Sequence, residues 1–439
     1  MTPFPISDRS PVAHPGPLPP VADVVVIGGG IIGVMTAWEC AKRGLRAVLV
    51  EKGRVAGEQS SRNWGWIRQQ NRDPAELPIM IEARAMWLQL ARDLGEELGL
   101  RRTGTLYLAE KDREVGEYDH WMPTARAHGL DTRILSGAEV AQMIPDAAVR
   151  WKGGMWTASD LQAEPMRAMP ALARAAVRAG VSIVENCAAR VIDVAAGRVA
   201  GVVTEQGRVV APSVVVAGGA WSALLLRHHG ISIPQLSVRC TVAATAPLPL
   251  VHDGGASCTT IAWRRRIDGG YTIAPDLYRE LYIGPDAFRA LPHYLRPLLA
   301  DPFATALRPA APRGYPDAWT TPRHWSTDAP GPFEAMRVLN PPPNARKVTD
   351  LARDFSATFP GLGPIPIRTA WAGMIDTLPD DVPVIDRADT LPGLTIATGM
   401  CGHGFGIGPG FGRIAAALVM GDAPGHDIGQ FRLDRFSGG

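Results

Sequence analysis

Short apolar runs alternate with glycine-rich turns along most of the chain, a pattern that predicts a mixture of strands and helices. Residues 23–27 form the first apolar run, and Gly28-Gly-Gly30-Ile-Ile-Gly33 follows it at once. A helical stretch that contains several alanines then ends at Gly44, and a second apolar run occupies residues 46–51. A strand, a glycine loop, a helix and a strand in that order predict a βαβ unit of about 30 residues.

The middle and the end of the chain repeat this alternation. Residues 163–180 are typical of a helix that ends at glycine, and residues 213–222 contain a buried strand that ends in a glycine pair. Further strand-like runs lie at 181–185, 189–194, 199–205, 208–210 and 394–398. Three of them, from 189 to 210, predict an antiparallel meander. The last run leads into a predicted glycine loop, residues 399–410, and a helix at 411–420.

The first glycine loop has the spacing of a dinucleotide site. Gly28 permits a tight turn off the strand, Gly30 lets the backbone approach a pyrophosphate, and Gly33 lets the helix pack closely on the sheet. The helix then directs unpaired amides and a partial positive charge at the phosphates. At the end of the second strand, Glu51 can accept hydrogen bonds from both hydroxyls of an adenosine ribose. An acid there favours FAD or NAD over NADP.

The amino-acid composition limits the kinds of partner that the protein can bind. The 439 residues carry 45 Lys and Arg against 43 Asp and Glu, a formal net charge of +2. Such a balance provides no large field to steer a polyanion, which argues against nucleic acid. The five cysteines are an odd number, scattered and without a C-x-x-C pair, so neither a disulfide framework nor a metal site is predicted. We therefore expect a reduced, cytoplasmic setting.

Residues 1–20 are rich in proline and have neither the basic start nor the apolar segment of a signal peptide. Proline fixes φ and lacks an amide donor, so an extended or disordered lead-in is expected. No apolar run reaches the roughly 18 residues that a transmembrane helix needs. Peripheral membrane association stays open.

Two segments favour a flavin over a nicotinamide. Residues 57–70 form a polar, glycine-punctuated loop after the second strand, where a nicotinamide domain would continue to a helix and a third parallel strand. Residues 399–410 form a second loop rich in glycine before a helix. Such a loop can lie against a flat cofactor, with helix amides directed at a carbonyl oxygen.

Four motifs together identify a family. They are the Gly28–Gly33 loop, residues 214–222, the stretch Trp371-Ala-Gly-Met-Ile-Asp-Thr-Leu-Pro-Asp380 with Pro383, and Gly402-His-Gly-Phe405. Over about residues 22–435 the chain resembles the D-amino-acid oxidase and dehydrogenase family, which includes glycine oxidase, monomeric sarcosine oxidase and bacterial amine dehydrogenases. The resemblance implies an α/β fold in which a Rossmann-like FAD-binding domain of the glutathione-reductase type carries an antiparallel-sheet α+β substrate domain.

The resemblance also implies a division of the chain. After the lead-in, residues 21–105, 150–235 and 366–435 would form the FAD-binding domain, and residues 106–149 and 236–365 the substrate domain. The implied FAD-binding residues are Gly28, Gly30, Ile31, Ile32, Gly33, Glu51, Lys52, Ser60, Ser61, Arg62, Asn63, Trp64, Val191, Ala217, Gly218, Trp221, Gly373, Gly399, Gly402, His403, Gly404 and Phe405. Family members with a covalent flavin carry a cysteine near the position of Gly373, so noncovalent FAD is expected here.

The resemblance is less specific about the residues that would contact the substrate. Arg68 is the first candidate to bind a carboxylate, against a surface or flavin-phosphate role, and Arg337 and residues 264–266 are weaker candidates. The other candidates are Trp64, Trp66 and Trp371, which would form an aromatic wall, Tyr271, which would face the cavity, and His403, which would act as an acid or base. For the tryptophans and Tyr271 the alternative is a structural role, and for His403 it is a role at the flavin edge. The cationic substrate contacts of some relatives are replaced by Gly406 and Ile375.

The implied reaction is oxidation of the C–N bond of an amino acid or a secondary amine, such as a D-amino acid or an N-methyl or cyclic amino acid. Hydride passes to flavin N5, the imine is hydrolysed, and oxygen or a quinone is the electron acceptor. Two alternatives stay open: a 2-hydroxy-acid or glycerophosphate dehydrogenase on the same fold, and a flavin-bearing subunit of a larger amine-oxidising complex.

Overall fold

The computed structural model describes residues 5–300 and 305–436 of the chain. Its strands are β1 Val24–Ile27, β2 Ala47–Val50, β3 Trp66–Ile67, β4 Arg101–Arg102, β5 Thr105–Ala109, β6 Thr132–Ser136, β7 Gly153–Thr157, β8 Leu161–Gln162, β9 Ser182–Val184, β10 Ala189–Ala195, β11 Arg198–Thr204, β12 Gly207–Val210, β13 Ser213–Val216, β14 Leu236–Thr245, β15 Gly255–Ser257, β16 Ile261–Arg265, β17 Tyr271–Pro275, β18 Arg279–Tyr282, β19 Thr305–Arg308, β20 Ile367–Thr377, β21 Val384–Arg387 and β22 Leu394–Thr398. Its helices are α1 Ile31–Lys42, α2 Gln59–Arg62, α3 Leu77–Leu94, α4 Asp112–Ala127, α5 Gly137–Met143, α6 Pro165–Arg178, α7 Ser222–His228, α8 Pro285–Ala300, α9 Pro332–Ala335, α10 Ala345–Thr358 and α11 Gly404–Met420.

A six-stranded sheet forms the first half of the molecule, in the order β21-β22-β13-β1-β2-β9. All of its pairings are parallel except that of β21 with β22. Val24 and Val26 of β1 pack into the core on the side of α1, and Val25 and Ile27 pack into the core on the opposite side. A parallel strand buried on both faces needs such an unbroken apolar run. The predicted βαβ unit and the meander β10–β12 are confirmed.

A larger, mainly antiparallel sheet forms the second half, in the order β19-β18-β14-β17-β16-β15-β5-β7-β6, with β20 paired to β14. Helix α10 covers one face of it, where Phe355 packs against Trp263 and Tyr271. The predicted fold class, a Rossmann-like parallel core with an antiparallel-sheet substrate region, is confirmed. β20 belongs to this second sheet, although its residues fall in the segment 366–435 that the proposed division gives to the FAD-binding domain.

Helix α11 begins at Gly404, seven residues before the predicted start at residue 411. The sequence predicted a loop there because glycine weakens helices. The glycines instead allow close packing: a Cβ on Gly408 would lie 2.7 Å from Ile31 Cγ1, and one on Gly412 would lie 2.5 Å from Met35 Cβ. Packing against α1 and α3 therefore overrides the local propensity, and the glycine loop is shortened to residues 399–403.

Residues 5–20 contain no helix or strand and lie against the body of the molecule. Ile6 is buried, and the Glu185 carboxylate accepts hydrogen bonds from the amides of Ala13 and His14. Arg54 Nε donates to the Ser10 carbonyl at 2.7 Å. This part of the expected lead-in is extended and packed rather than disordered, while residues 1–4 lie outside the described residues. Within the described ranges, no helix combines the length and apolar character needed to cross a membrane.

Candidate active site

A cavity of about 690 Å³ lies at the carboxyl ends of β1, β2 and β13 and reaches to the second sheet. The carboxyl edge of a parallel sheet is where α/β folds bind ligands. Ile27, Val50 and Ala217 mark the ends of these strands in the cavity wall, and the far wall includes Tyr107 and Arg279. One continuous space therefore joins the predicted dinucleotide site to the mainly antiparallel half of the molecule.

The first glycine loop is shaped by steric necessity. Gly28 has φ +112°, and a Cβ there would lie 2.4 Å from the carbonyl oxygen of Ala217. A Cβ on Gly33 would lie 1.9 Å from the carbonyl oxygen of Gly28. Among the predicted residues, Gly28, Gly30, Ile31 and Ile32 line the cavity, and the amide of Ile31 donates to Ser60 Oγ at 2.9 Å. The N-terminus of α1 therefore faces the cavity, as pyrophosphate binding requires.

Glu51, the predicted acceptor for a ribose, follows β2 directly and lines the cavity. Its two carboxylate oxygens accept hydrogen bonds from the backbone amides of Gly29 and Gly53, at 2.6 and 2.7 Å. Burial raises the pKa of Glu51 to about 7, although these amides and Lys52 oppose the shift. The carboxyl group is therefore held rigidly at the end of β2, inside the cavity wall.

Glu58 organises the neighbouring wall and was missed by the sequence analysis. Its Oε1 accepts from Lys52 Nζ at 2.6 Å, from Trp221 Nε1 at 3.0 Å and from the Leu339 amide at 3.0 Å. Lys52 Nζ also lies 4.4 Å from the centre of a Trp221 ring. These partners are far apart in sequence, so no local signal could have singled out Glu58.

The loop after β2 is held by Arg62, whose side chain is almost completely buried. Its guanidinium donates to the carbonyl oxygens of Gly57, Ala372 and Ile6 and to Asn340 Oδ1. Burial lowers the pKa of Arg62 to about 10. Arg62 touches the cavity, but its donors are directed into the protein, so it buttresses the loop.

The second glycine loop approaches the same cavity from the other side. Asp376 Oδ2 accepts from the amides of Gly399 and Met400, at 2.8 and 3.1 Å. Gly402 has φ +84°, and a Cβ on Gly399 would lie 2.3 Å from Leu378 Cδ1. Of the residues predicted here, Gly402, His403, Gly404 and Phe405 line the cavity, and Gly399 lies behind it.

These residues fit FAD. Two helix N-termini, those of α1 and α11, reach the cavity together with the buried carboxylate of Glu51. Predicted residues that also line it are Lys52, Ser60, Asn63, Trp64, Ala217, Gly218, Trp221 and Gly373. A Cβ on Gly373 would lie 1.7 Å from Gln59 Oε1, so the Gln59 side chain occupies the space beside this glycine.

The far end of the cavity carries aromatic and cationic side chains. Trp64 and Trp66 both line it, with ring centres 5.3 Å apart and planes at 79°. The Arg68 guanidinium lies 5.2 Å from the Tyr107 ring centre, and Arg68 Nη1 donates to the Gln70 carbonyl at 2.7 Å. Further lining residues that the sequence analysis missed are Arg72, Tyr107, Tyr118, Asp276, Tyr278 and Arg279. They come from four separate segments, which only the fold brings together.

His403 lines the cavity beside a carboxylate and close to Arg68 and Arg72. Its Nδ1 is 3.3 Å from Glu76 Oε1 and 3.2 Å from Glu76 Oε2. Burial lowers the pKa of His403 to about 4, with Arg72 and Arg68 adding to the shift and Glu76 opposing it. The imidazole is therefore neutral near pH 7.

Several predicted residues lie away from the cavity. Tyr271 is fully buried against Phe355, and its hydroxyl accepts from the amide of Val251 at 2.9 Å. Trp371 packs in a cluster with Trp64 and donates through Nε1 to the Arg62 carbonyl at 2.9 Å. Other predicted residues absent from the cavity lining are Gly33, Ser61 and Val191. The structure thus places Tyr271 and Trp371 outside the cavity lining.

The weaker arginine candidates are paired within the protein. Arg264 forms a buried, bidentate ion pair with Glu164, with Nη-to-Oε distances of 2.8 and 3.1 Å. Arg337 pairs with Glu205, and Arg266 donates to backbone carbonyls and to Asp268. Their role is to connect strands and loops.

The chain resembles known proteins over nearly its whole length. Its computed structure superposes with a TM-score of 0.92 on the L-amino acid deaminase of Proteus myxofaciens, at 29% identity over 98% of this chain and 97% of that one. It is 26% identical to the glycine oxidase of Geobacillus kaustophilus over 427 residues, 95% of this chain and 97% of that protein. It is also 31% identical to the mitochondrial sarcosine dehydrogenase of Mus musculus over 286 residues. This match covers 60% of the chain but only 30% of the longer relative. Residues 23–418 match the model of the DAO family, described as FAD dependent oxidoreductase, and the chain belongs to that family.

Proposed function

We propose that this protein oxidises the C–N bond of an amino acid or a secondary amine to an imine, with FAD as the bound electron acceptor. The observation that carries the proposal is that one continuous cavity joins a glycine cradle suited to a dinucleotide to a pocket of tryptophans and arginines. The relatives named above act, by their names, on L-amino acids, glycine and sarcosine. Their shared substrate chemistry, an amine next to a carboxylate, suits this pocket.

A substrate carboxylate has two candidate partners in the cavity wall. Arg68 uses one nitrogen for the Gln70 carbonyl, which leaves other donors of its fork for a ligand. Arg279, at the start of β18, also lines the cavity, and no described residue accepts a hydrogen bond from its guanidinium. Both cations act on Asp276, whose pKa is raised by burial and lowered by Arg68 and Arg279. The proposed carboxylate position lies between these cations.

The protein's own part in the reaction is placement and exclusion of water. Bound FAD supplies a two-electron acceptor at N5 of its ring system. Trp64 and Trp66 form an apolar wall that holds the substrate and displaces water from the reacting carbon. The α carbon of the substrate would give up a hydride to that acceptor, and the resulting iminium ion would lose a proton to water and leave as an imine, which water hydrolyses to a carbonyl compound and ammonia or an amine. Oxygen or a quinone would then take the two electrons from the cofactor.

An anaerobic substrate screen tests this proposal. The purified holoenzyme is mixed without oxygen with D- and L-amino acids, N-methyl amino acids, cyclic amino acids and, as a contrast, 2-hydroxy acids and glycerophosphate. Loss of the flavin absorbance with an amine supports the proposal, and its return on admission of air identifies oxygen as an acceptor. Bleaching by hydroxy acids alone, or by none of these compounds, contradicts it.

One observation favours the second candidate, a flavin-bearing subunit of a larger complex. Helix α8 exposes apolar side chains on one surface, with Phe288 60%, Leu295 50% and Leu299 82% exposed. Exposed apolar side chains concentrated in this way are typical of an association surface. Light scattering of the purified chain, alone and after co-purification with its natural partners, measures whether it assembles. Reduction of the flavin by substrate in the assembled form, but not in the isolated chain, supports this candidate.

A further inference from the structure

We propose that Glu76 is a positioning residue, which holds His403 as the tautomer with hydrogen on Nδ1, so that Nε2 offers a lone pair to the substrate amine. This inference rests on the proposed function for the identity of the ligand. The state of the imidazole ring itself can be tested without any substrate.

Among the described residues, the Glu76 carboxylate has one hydrogen-bond partner, Nδ1 of His403. Glu76 immediately precedes α3, and its side chain is completely buried. Oε1 lies 3.3 Å from His403 Nδ1, and Oε2, 3.2 Å from the same nitrogen, has no hydrogen-bond partner of its own among the described residues. Burial alone would raise the pKa of Glu76, but His403 and the nearby cations Arg72 and Arg68 lower it. An ionised carboxylate only accepts hydrogen bonds, so Nδ1 must carry the hydrogen.

The imidazole has one hydrogen to give. A neutral ring that donates through Nδ1 must accept through Nε2. Burial keeps the pKa of His403 near 4, and the charged groups around it are Glu76 on the α3 side and Arg72 and Arg68 after β3. The ring is therefore a single tautomer near neutral pH, set by the partner of its other nitrogen.

The second ring nitrogen of His403, Nε2, is suited to accept a hydrogen bond from an amine. His403 lines the cavity, and no described residue hydrogen bonds to Nε2. The arginines at the same end of the cavity offer only donors, which suit a carboxylate and cannot receive an amine hydrogen. Asp276, a carboxylate in the same wall, is already an acceptor for Ser257 Oγ. An acceptor at His403 Nε2 therefore complements the arginines: they bind the acid group of an amino acid, and it binds the amine.

The ring state is measured first, by nitrogen NMR of holoenzyme labelled at histidine. The wild type is expected to show a protonated Nδ1 and an unprotonated Nε2 for His403. Glu76→Met removes the acceptor and is expected to shift the ring toward the other tautomer. Glu76→Gln keeps a carbonyl oxygen at the same place and should retain the wild-type tautomer. Resonances are assigned with His403→Gln.

Steady-state kinetics then distinguish a positioning role of Glu76 from a general loss of structure in the variant. Loss of the fixed acceptor in Glu76→Met should raise KM for the substrate about tenfold, with a smaller change in kcat. Glu76→Gln should restore most of the loss. The matched control is Glu82→Met, which removes the carboxylate 2.5 Å from His426 Nε2, outside the cavity lining. It should change the His426 resonances and leave KM as it is.

The two hypotheses fail in different ways. If no amine reduces the flavin, the proposed function falls, while the tautomer of the resting holoenzyme still decides the role of Glu76. Hydrogen on Nε2 in the wild type overturns the inference, and so does an unchanged KM in folded Glu76→Met. Should Glu76→Met not fold, the wild-type tautomer and its retention in Glu76→Gln decide the question.

Discussion

The two ends of the cavity are built in different ways. At the cofactor end, the backbone of the first glycine loop forms part of the wall, and Gly28 and Gly33 are required in that loop because any side chain would collide with a carbonyl oxygen. At the substrate end, side chains form the wall, and they come from the segment after β3, from β5, from α4 and from β17 to β18. The first end is therefore specified by sterics within one short motif, and the second by the packing of distant segments. Changes at the first should abolish cofactor binding, and changes at the second should alter selectivity.

The largest effect is expected from Gly28→Ala. The added Cβ would lie 2.4 Å from the Ala217 carbonyl oxygen, at a backbone φ of +112° that alanine rarely adopts. FAD affinity should fall by at least about 100-fold, because the loop that faces the pyrophosphate must shift. Flavin content and a fluorescence titration with FAD measure this. Gly116→Ala, where a Cβ meets nothing within 4 Å, is the matched control; equal FAD binding by both variants would remove the steric basis of the comparison.

At the substrate end, Arg279→Met should raise KM for an amino acid about 10- to 100-fold while FAD content stays normal. The physical reason is the loss of a charge-assisted hydrogen bond to the carboxylate. Arg68→Met, assayed in parallel, shows which arginine contributes more. The control is an amine without a carboxylate, whose KM should not respond. If both variants respond equally to both substrates, the carboxylate position is wrong.

The pH dependence of the Tm tests the buried Glu51 carboxyl at the cofactor end of the cavity. Burial raises the pKa of Glu51 to about 7 in the folded protein, so the folded state binds this proton more tightly than the unfolded chain. The stabilisation that it provides is complete below the unfolded pKa and is lost as the pH rises toward and past 7. The Tm of the flavin-free protein should therefore fall more steeply between pH 5 and 8 in the wild type than in Glu51→Gln, by roughly 2 to 4 °C. Parallel curves for the two proteins would contradict the shift.

The smallest effect is expected from Tyr271→Phe. The Tyr271 hydroxyl accepts from Val251 and from Arg265 Nη1 and lies outside the cavity lining. Its removal should cost about 1 kcal/mol of unfolding free energy and leave KM and kcat unchanged. Denaturant unfolding and steady-state kinetics measure the two quantities. A changed KM would return Tyr271 to the substrate site.

The same contrast explains what the sequence could predict. The strands β1, β2, β13 and β22, and the glycine loop between β1 and α1, follow from local patterns and were predicted close to their observed bounds. The start of α11 was wrong because helix packing, a tertiary effect, makes use of glycines that locally disfavour a helix. Glu58 and Glu76 were missed because their partners, Trp221 and His403, are distant in sequence.

Arg62 links three parts of the chain that are distant in sequence. Its guanidinium joins the carbonyl oxygen of Ile6 in the lead-in, that of Gly57 in the cofactor loop and that of Ala372 in β20. A recombinant version that begins near the first strand would remove the Ile6 acceptor and the apolar side chain that is buried beside it. Trimming the proline-rich start to aid crystallisation would thus disturb a loop that lies in the wall of the cavity.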